Sequence, residues 1–358
     1  MLSTSQRTVK GPRHLGSFYQ PLFSLSFSST DTRNPIRVFK LGSKMRGGLL
    51  KMEKDGQEIE IDRGFVGNFF ESLPEGFVAN ALALTSPRDV CRLSLVCSVF
   101  RSAAEWDAVW EKFLPPEYHK ILAEAEDGGG SVRCSSKKKM YLHLCDHPVI
   151  IDGGNKSFSL DKQTAKKCYM LAARELSIVW GNTPRYWRWI AVPESRFTEV
   201  AELKSVCWLE VHGKINTSLL STNTRYASYL VYKSRPDIYG FDSQPAEVSV
   251  RIHGVESEKK TVFLDPDVSL RDEDRNVGPG GRLRIFGRLV GFPSRPTGSA
   301  RLNGPKVRQD GWLEVELGEY FNESGEEGEL EMRVMEVKGG NWKGGIVIQG
   351  IEIRPKAC

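Results

Sequence analysis

The sequence predicts an α+β multidomain chain, an N-terminal helical module followed by an antiparallel β-sandwich. Three observations predict it. Apolar side chains recur at helical spacing between residues 70 and 114. From Val149 onward they alternate at period two, and Gly, Asn and Pro turns cut that second half into many short runs. Many strands with such turns and few helices imply a sandwich or barrel. A length of 358 residues suits two domains and leaves enough chain for a core. The hydrophobic share of 40% and charged share of 27% are ordinary for a globular protein. No apolar run approaches the roughly 20 residues of a membrane helix. The seven cysteines are an odd number without a C-x-x-C pair. That argues against a disulfide framework and suits a reducing compartment, the cytoplasm and/or nucleus.

Residues 1–68 read as a disordered, basic extension. Residues 1–44 hold seven Lys/Arg and one acid. Their Ser- and Arg-rich composition also fits an organelle transit peptide loosely, or a start upstream of Met45 or Met52. Residues 45–68 are polar and Gly-containing, and no structure is expected there. The rest of the chain has 43 basic and 44 acidic residues, so the net charge of +5 belongs to the tail. The body offers no electrostatic case for nucleic acid.

Helical signals then follow closely. Phe77, Val78, Ala81 and Leu82 share one helical face. Ser86 is a good N-cap, with Pro87 at the first helical position. Val90, Leu93, Cys97 and Phe100 recur at helical intervals, as do Trp106, Val109, Trp110 and Phe113. Pro115-Pro116 end the run. Some 45 residues with this much apolar surface cannot bury it alone, so the rest must meet the chain or a partner. Leu73-Pro74, the Val90-x-x-Leu93-x-x-Val96-Cys97 centre, Phe100-Arg101 and the late Trp110 resemble an F-box, here bounded as 69–115. The resemblance implies docking on a Skp-type adaptor, and through it on a cullin. By position it implies contacts from Leu73, Pro74, Leu82, Leu93, Val96 and Trp110.

Residues 116–154 read as a helical linker. Tyr118, Ile121, Leu122 and Ala125 repeat the stripe, and Gly128-Gly129-Gly130 interrupts it. Lys137-Lys138-Lys139 reads as a solvated face rather than a nuclear signal. Cys134, His143, Cys145 and His147 have a spacing that matches no zinc knuckle, so no metal is expected.

Strands are expected at Val206–His212, Tyr226–Tyr232, Val248–His253, Leu313–Leu317, Leu330–Val334 and Ile346–Ile353. Residues 278–304, rich in Gly, Arg and Pro, read as a long loop. The GPGG within it lacks both Gly-Lys-Ser/Thr and a following helix, so nucleotide binding is rejected. No G-x-S-x-G or H-E-x-x-H is present, and the six histidines are scattered. The chain therefore reads as a non-enzyme without a cofactor.

The stretch Leu176–Trp189 carries three of the eight tryptophans. Leu176, Ile178 and Trp180 alternate as in a strand, and Gly181-Asn182 with Pro184 then force a turn. Rings beside a turn suit recognition of flat apolar faces, sugars included. Spacing alone favours sandwich core, because Trp is usually largely buried.

Five blocks in order resemble the phloem protein two lectin family, to which the tobacco agglutinin Nictaba belongs. They are KCYMLAARELSIVWGNTPRYWRW, SRFTEVAELKSVCWLEVHGKI, DGWLEVELGEYFN, GELEMRVMEV and WKGGIVIQGIEIRP. With the F-box, the pattern is similar to the phloem protein two B type of plants. The resemblance implies a jelly-roll-like sandwich over 155–358 that binds N-acetylglucosamine-containing glycans. It maps sugar binding onto Trp180, Trp187, Glu329 and Glu336. Trp342 is a further candidate, while Trp189, Trp208 and Trp312 are assigned to the core. Glu329 and Glu336 are seven apart, so an unbroken strand would turn them to opposite faces. The implied function is the substrate-recognition subunit of a Skp–cullin–F-box ubiquitin ligase that selects glycans or glycoproteins. The alternative is an adaptor whose lectin-fold domain reads a polypeptide.

Overall fold

The computed structural model describes residues 49–54, 57–62, 73–125, 134–241, 244–252, 255–257, 259–266, 304–323 and 327–356. The expectations for residues 1–44, for Gly128–Gly130 and for most of 278–304 lie outside these. The chain divides into two compact units, residues 1–66 and 67–358.

In the first unit β1 (Leu49–Lys54) and β2 (Gln57–Asp62) form an antiparallel hairpin, with Lys54 opposite Gln57. For residues 49–54 and 57–62 this corrects the reading of 45–68 as unstructured. The overlooked signal is Asp55-Gly56 between two short runs, the dipeptide that two-residue hairpin turns favour.

The second unit opens with α1 (Glu75–Ala83), α2 (Pro87–Leu93), α3 (Ser98–Ala103), α4 (Asp107–Glu111) and α5 (Tyr118–Ala123). The Ser86 side chain accepts the Asp89 backbone N–H at 3.2 Å and caps α2, with Pro87 in its first turn. Helices this short are not stable singly, so they pool their inner faces. Val78, Leu82, Val90, Val109, Trp110, Phe113 and Ile121 are all buried. The next helix, α6 (Lys137–Asp146), adds Tyr141 and Leu144 to the same core. The Trp110 ring centre lies 5.3 Å from that of Tyr141, and its indole N–H donates to the Ala104 carbonyl at 2.6 Å. The lysine triplet fastens α6. Lys137 pairs with Glu111 at 2.8 Å, and the Lys138 ammonium lies 5.5 Å from the Trp110 ring centre.

The sandwich follows as β3 (Val149–Ile151), β4 (Lys156–Leu160), β5 (Lys167–Ala172), β6 (Ser177–Ile178), β7 (Trp187–Ile190) and β8 (Val200–Leu203). Next come β9 (Leu209–Asn216), β10 (Thr224–Tyr239), β11 (Ala246–Ile252), β12 (Val255–Glu256) and β13 (Lys260–Val262). β14 (Lys306–Val307), β15 (Leu313–Asn322), β16 (Glu329–Glu336) and β17 (Gly344–Pro355) complete it. One sheet runs β14-β15-β10-β17-β5-β4-β3, with β8 also on β17 and β7 on β8. The other runs β12-β11-β16-β9-β6, with β13 on β11. Their pairings are antiparallel, as the period-two pattern and short turns require.

Along β9 Leu209, Val211 and Ile215 are buried, while His212 and Lys214 face out. Gly213 is needed where the sheets meet, because a Cβ there would stand 3.0 Å from Ile351 and Leu176 side-chain atoms. β17 is buried along ten of its twelve residues, as a strand with neighbours on both edges and a second sheet above should be. One end of β17 carries a buried charge cluster. Arg308 donates to Glu352 at 2.6 Å, and Arg354 pairs with Glu314 at 2.6 Å. Burial opposes ionisation of Glu352, yet Arg308, Arg196 and Arg354 together hold its carboxyl at about 2.

The helices rest on the turn between β4 and β5. The Tyr141 hydroxyl donates to the Asp161 carbonyl at 3.0 Å, and the Arg88 guanidinium donates to the Gln163 side-chain oxygen at 3.2 Å. Lys167, at the start of β5, pairs with Glu117 at 2.8 Å. One continuous hydrophobic core runs from Val78 through Tyr141 and Phe158 into the sandwich. The described part of residues 116–154 is thus a packed joint.

Candidate functional site

Two of the surfaces of the second unit that expose large apolar side chains lie where the sequence places sites. On the helical module Phe77 is 60% exposed, and Leu84 and Leu95 are each 76% exposed. Phe77 on the outer side of α1 and Leu84 at its C-cap lie seven residues apart, and the inner side of the helix buries Val78 and Leu82. Pro74 is exposed at the helix start, where its carbonyl accepts from Phe77 N at 2.9 Å. Leu73, Leu93 and Val96 are half-buried. Leu82 and Trp110 are only 1% exposed. They are a correction to the contact set, because each is locked into the helical core and offers a partner no surface. Phe77 and Ala81, read from sequence as sharing a face with Val78 and Leu82, are exposed instead, and Leu84 and Leu95 fall outside the inner apolar period. For Leu84 and Leu95 that mismatch with the period is a signal in the sequence, and for Phe77 only the observed rotation of the helix shows it.

The second surface is one end of the sandwich. The expected strand Leu176–Trp180 stops after Ile178. Gly181 N donates to the Ile178 carbonyl at 2.9 Å, and Thr183 N to the Trp180 carbonyl at 2.8 Å. Within this turn Trp180 has φ +59°, which a bulky residue adopts only when its surroundings enforce it. Two neighbouring rings enforce it. Trp187 donates its indole N–H to the Val179 carbonyl at 3.2 Å, and Trp189 donates to the Gly181 carbonyl at 3.1 Å. The carbonyls before and after Trp180 are therefore both held. Trp180 is 42% exposed, with its ring centre 5.2 Å from that of Tyr186. Trp187 is 2% exposed, which corrects the expectation that it forms a wall with Trp180. It is a clamp beneath the displayed ring.

The two glutamates are also separated. β16 is unbroken, so Glu329 and Glu336 point to opposite faces, about 23 Å apart at roughly 3.3 Å per residue. Glu329 is exposed and pairs with Lys214 at 2.7 Å. It borders an open, polar cleft of about 610 Å³ shared with Glu175, Ser177, His212 and Asn216. Glu336 is buried against the ammonium of Lys343, at the end of β16 that lies opposite Leu209. The four mapped residues do not converge on one cleft.

Trp208, assigned from sequence to the core, is exposed, and so are Trp342 and Tyr239. Val179 N donates to the Glu210 carbonyl, Val206 bridges Lys343, and the Tyr239 hydroxyl donates to Ser205 Oγ at 2.7 Å. These links gather the segments bearing Trp180, Trp208, Trp342 and Tyr239 at the same end. Trp208 donates its indole N–H to Glu210 at 2.7 Å. That bond, with His212 and Arg333 behind it, holds the Glu210 carboxyl below its usual range despite partial burial. Trp312 is fully buried and Trp189 half-buried, with the Arg174 guanidinium 3.7 Å over the Trp189 ring. On α6, burial pushes the Cys145 thiol up to about 12, so it is a protonated core group rather than a thiolate.

Comparison with known proteins matches the phloem protein 2 family over residues 166–355 and the F-box domain over residues 70–112. The F-box protein PP2-B1 of Arabidopsis thaliana is 39% identical over 84% of this chain and 93% of its own length. The F-box protein VBF of the same plant is 41% identical over 79% of this chain and 99% of its own. The F-box protein At2g02240, also of Arabidopsis thaliana, is 42% identical over 80% of each. A solved xylan-binding domain, CBM22-1 of Paenibacillus barcinonensis Xyn10C, is 12% identical at a TM-score of 0.21, over 53% of this chain and 87% of that one. With an F-box ahead of a matching sandwich, this chain belongs to the phloem protein 2 family as an F-box protein of the PP2-B type.

Proposed function

We propose that this F-box protein is a substrate-recognition subunit of a Skp–cullin–F-box ubiquitin ligase, and that the aromatic end of its sandwich binds glycans or glycoproteins. The observation that carries the glycan reading is the Trp180–Tyr186 ring pair, half exposed and fixed by two indole hydrogen bonds beneath it. A ring held flat at a surface packs on the apolar face of a pyranose at small cost in rotamer entropy. The apolar outer side of the helices suits a Skp-type adaptor, since an exposed apolar patch marks a protein-binding surface. The protein transfers no ubiquitin itself in this reading, and it works in the cytoplasm and/or nucleus. Adaptor pull-down with the full chain tests the first half. Calorimetry with N-acetylglucosamine oligomers, on wild type and Trp180→Ala, tests the second.

One observation favours recognition of a polypeptide instead. Trp187 and Glu336 are buried and Glu329 is about 23 Å away along β16 at roughly 3.3 Å per residue, so the mapped sugar residues are not one constellation. An adaptor-binding chain that takes up no oligosaccharide, in calorimetry or on a glycan array, selects that reading.

A further inference from the structure

The position of Lys343 is unusual. Its side chain is fully buried, which an ammonium tolerates only when charge and hydrogen bonds are both met. Each of its three N–H donors has a partner. One faces Glu336, one donates to the Cys207 carbonyl at 3.1 Å, and one to the Asn341 carbonyl at 2.8 Å. Its backbone exchanges two bonds with Val206, at 2.8 and 2.9 Å. Glu336 in turn accepts the Gly339 N–H at 3.2 Å with Oε1. Its Oε2 has no polar partner but that ammonium among the described residues.

These bonds join three segments. Cys207 precedes the exposed Trp208, Asn341 precedes the exposed Trp342, and Glu336 ends β16 beneath both. From the fourth side Gly240 closes the packing. A Cβ on it would lie 2.4 Å from the Trp342 carbonyl, and its φ of +78° suits glycine. We propose that the buried Lys343–Glu336 pair is a positioning device that sets Trp208 and Trp342 as further ligand-contacting rings beside Trp180. Glu336 thus acts on a ligand through Lys343 and the two loops, without touching it. The proposal rests on the reading of this end as the glycan surface.

The test uses the full chain labelled with 5-fluorotryptophan. Single Trp→Phe variants assign the fluorine lines of Trp180, Trp208, Trp342 and the core Trp312. Lys343→Met fills similar space but removes all three donors. Its Trp208 and Trp342 lines should move while that of Trp312 stays, and affinity for an N-acetylglucosamine oligomer should fall about tenfold or more. Lines of Trp208 and Trp342 that stay at their wild-type positions overturn the proposal. If Lys343→Met unfolds, the Trp312 line shifts too, and the isosteric Glu336→Gln takes its place with the same two lines expected to move. A double change, Glu336→Leu with Lys343→Met, removes the buried charges together and should restore much of the melting midpoint but not the affinity. Recovery of both would reduce the pair to a structural role and overturn the proposal. If wild type binds no oligosaccharide, the glycan reading falls, yet the fluorine lines still decide whether the pair places the rings.

Discussion

The helical module and the sandwich end display apolar side chains by different means. On α1 and its C-cap the outer residues Phe77 and Leu84 need only the helix itself, because the inner residues Val78 and Leu82 fix its rotation. At the sandwich end the rings sit on turns with no such period. There, buried polar atoms hold them: two indole N–H groups around Trp180, and an ammonium between Trp208 and Trp342. A helical surface is thus set by packing, and a loop surface by hydrogen bonds whose donors are out of sight. In both regions a conspicuous tryptophan of the motif, Trp110 or Trp187, proves to be support for what is shown.

The sharpest way to break this comparison is to remove the supports. Trp110→Ala and Trp187→Ala should each cost roughly 3–5 kcal/mol of folding stability, read from denaturant midpoints. The core is continuous, so Trp110→Ala should shift a single transition seen by both helical and near-ultraviolet signals. Two separate transitions would mean that the regions stand independently.

Acid acts on the sandwich through Glu352. Glu352 has a folded pKa of about 2, below its ordinary 4.5, so its contribution is complete above about 4.5 and is lost as the pH falls through about 2. The shift corresponds to on the order of 3 kcal/mol at neutral pH. Glu352→Gln should lower the midpoint at pH 7 and flatten the acid limb of a midpoint-against-pH curve. A limb as steep as wild type would mean other carboxylates set acid stability.

Removing what is displayed should cost binding instead. Phe77→Ala should weaken adaptor binding by on the order of 2 kcal/mol while moving the midpoint by about 0.5 kcal/mol or less. Trp180→Ala should weaken oligosaccharide binding by about 1–2 kcal/mol with a similarly small change in midpoint. A midpoint that collapses in either variant would erase the distinction between support and display. The exposed Lys162–Asp146 pair marks the floor of the scale, and Lys162→Ala should change stability by less than about 0.5 kcal/mol.

Much of this was legible in the sequence. The Ser86 cap, the helical period and the switch to period two placed the modules, because each is a local signal. The opposed faces of Glu329 and Glu336 also followed from counting along β16. Exposure at the ends of elements was not legible. Trp208 lies one residue before β9 and Trp180 two residues after β6, where alternation no longer tells in from out. The role of Lys343 was invisible for another reason. Its partner Cys207 is far from it in sequence, Glu336 seven residues back lies across a turn, and a lone lysine before Gly344-Gly345 reads as a solvated turn residue.

The seat of α6 and its neighbours on the β4–β5 turn sets a length. Tyr141, Arg88 and Glu117 grip the sandwich at three points, and the core passes between them without a break. A protein docked on Phe77 and a ligand docked on Trp180 would therefore stand at one separation and one angle. The three contacts and the shared core oppose a swing of either towards the other. Such a molecule would work as a fixed bracket. Which lysines of a captured protein come within reach of a ligase would then follow from where on that protein the captured feature sits, more than from the local sequence around each lysine.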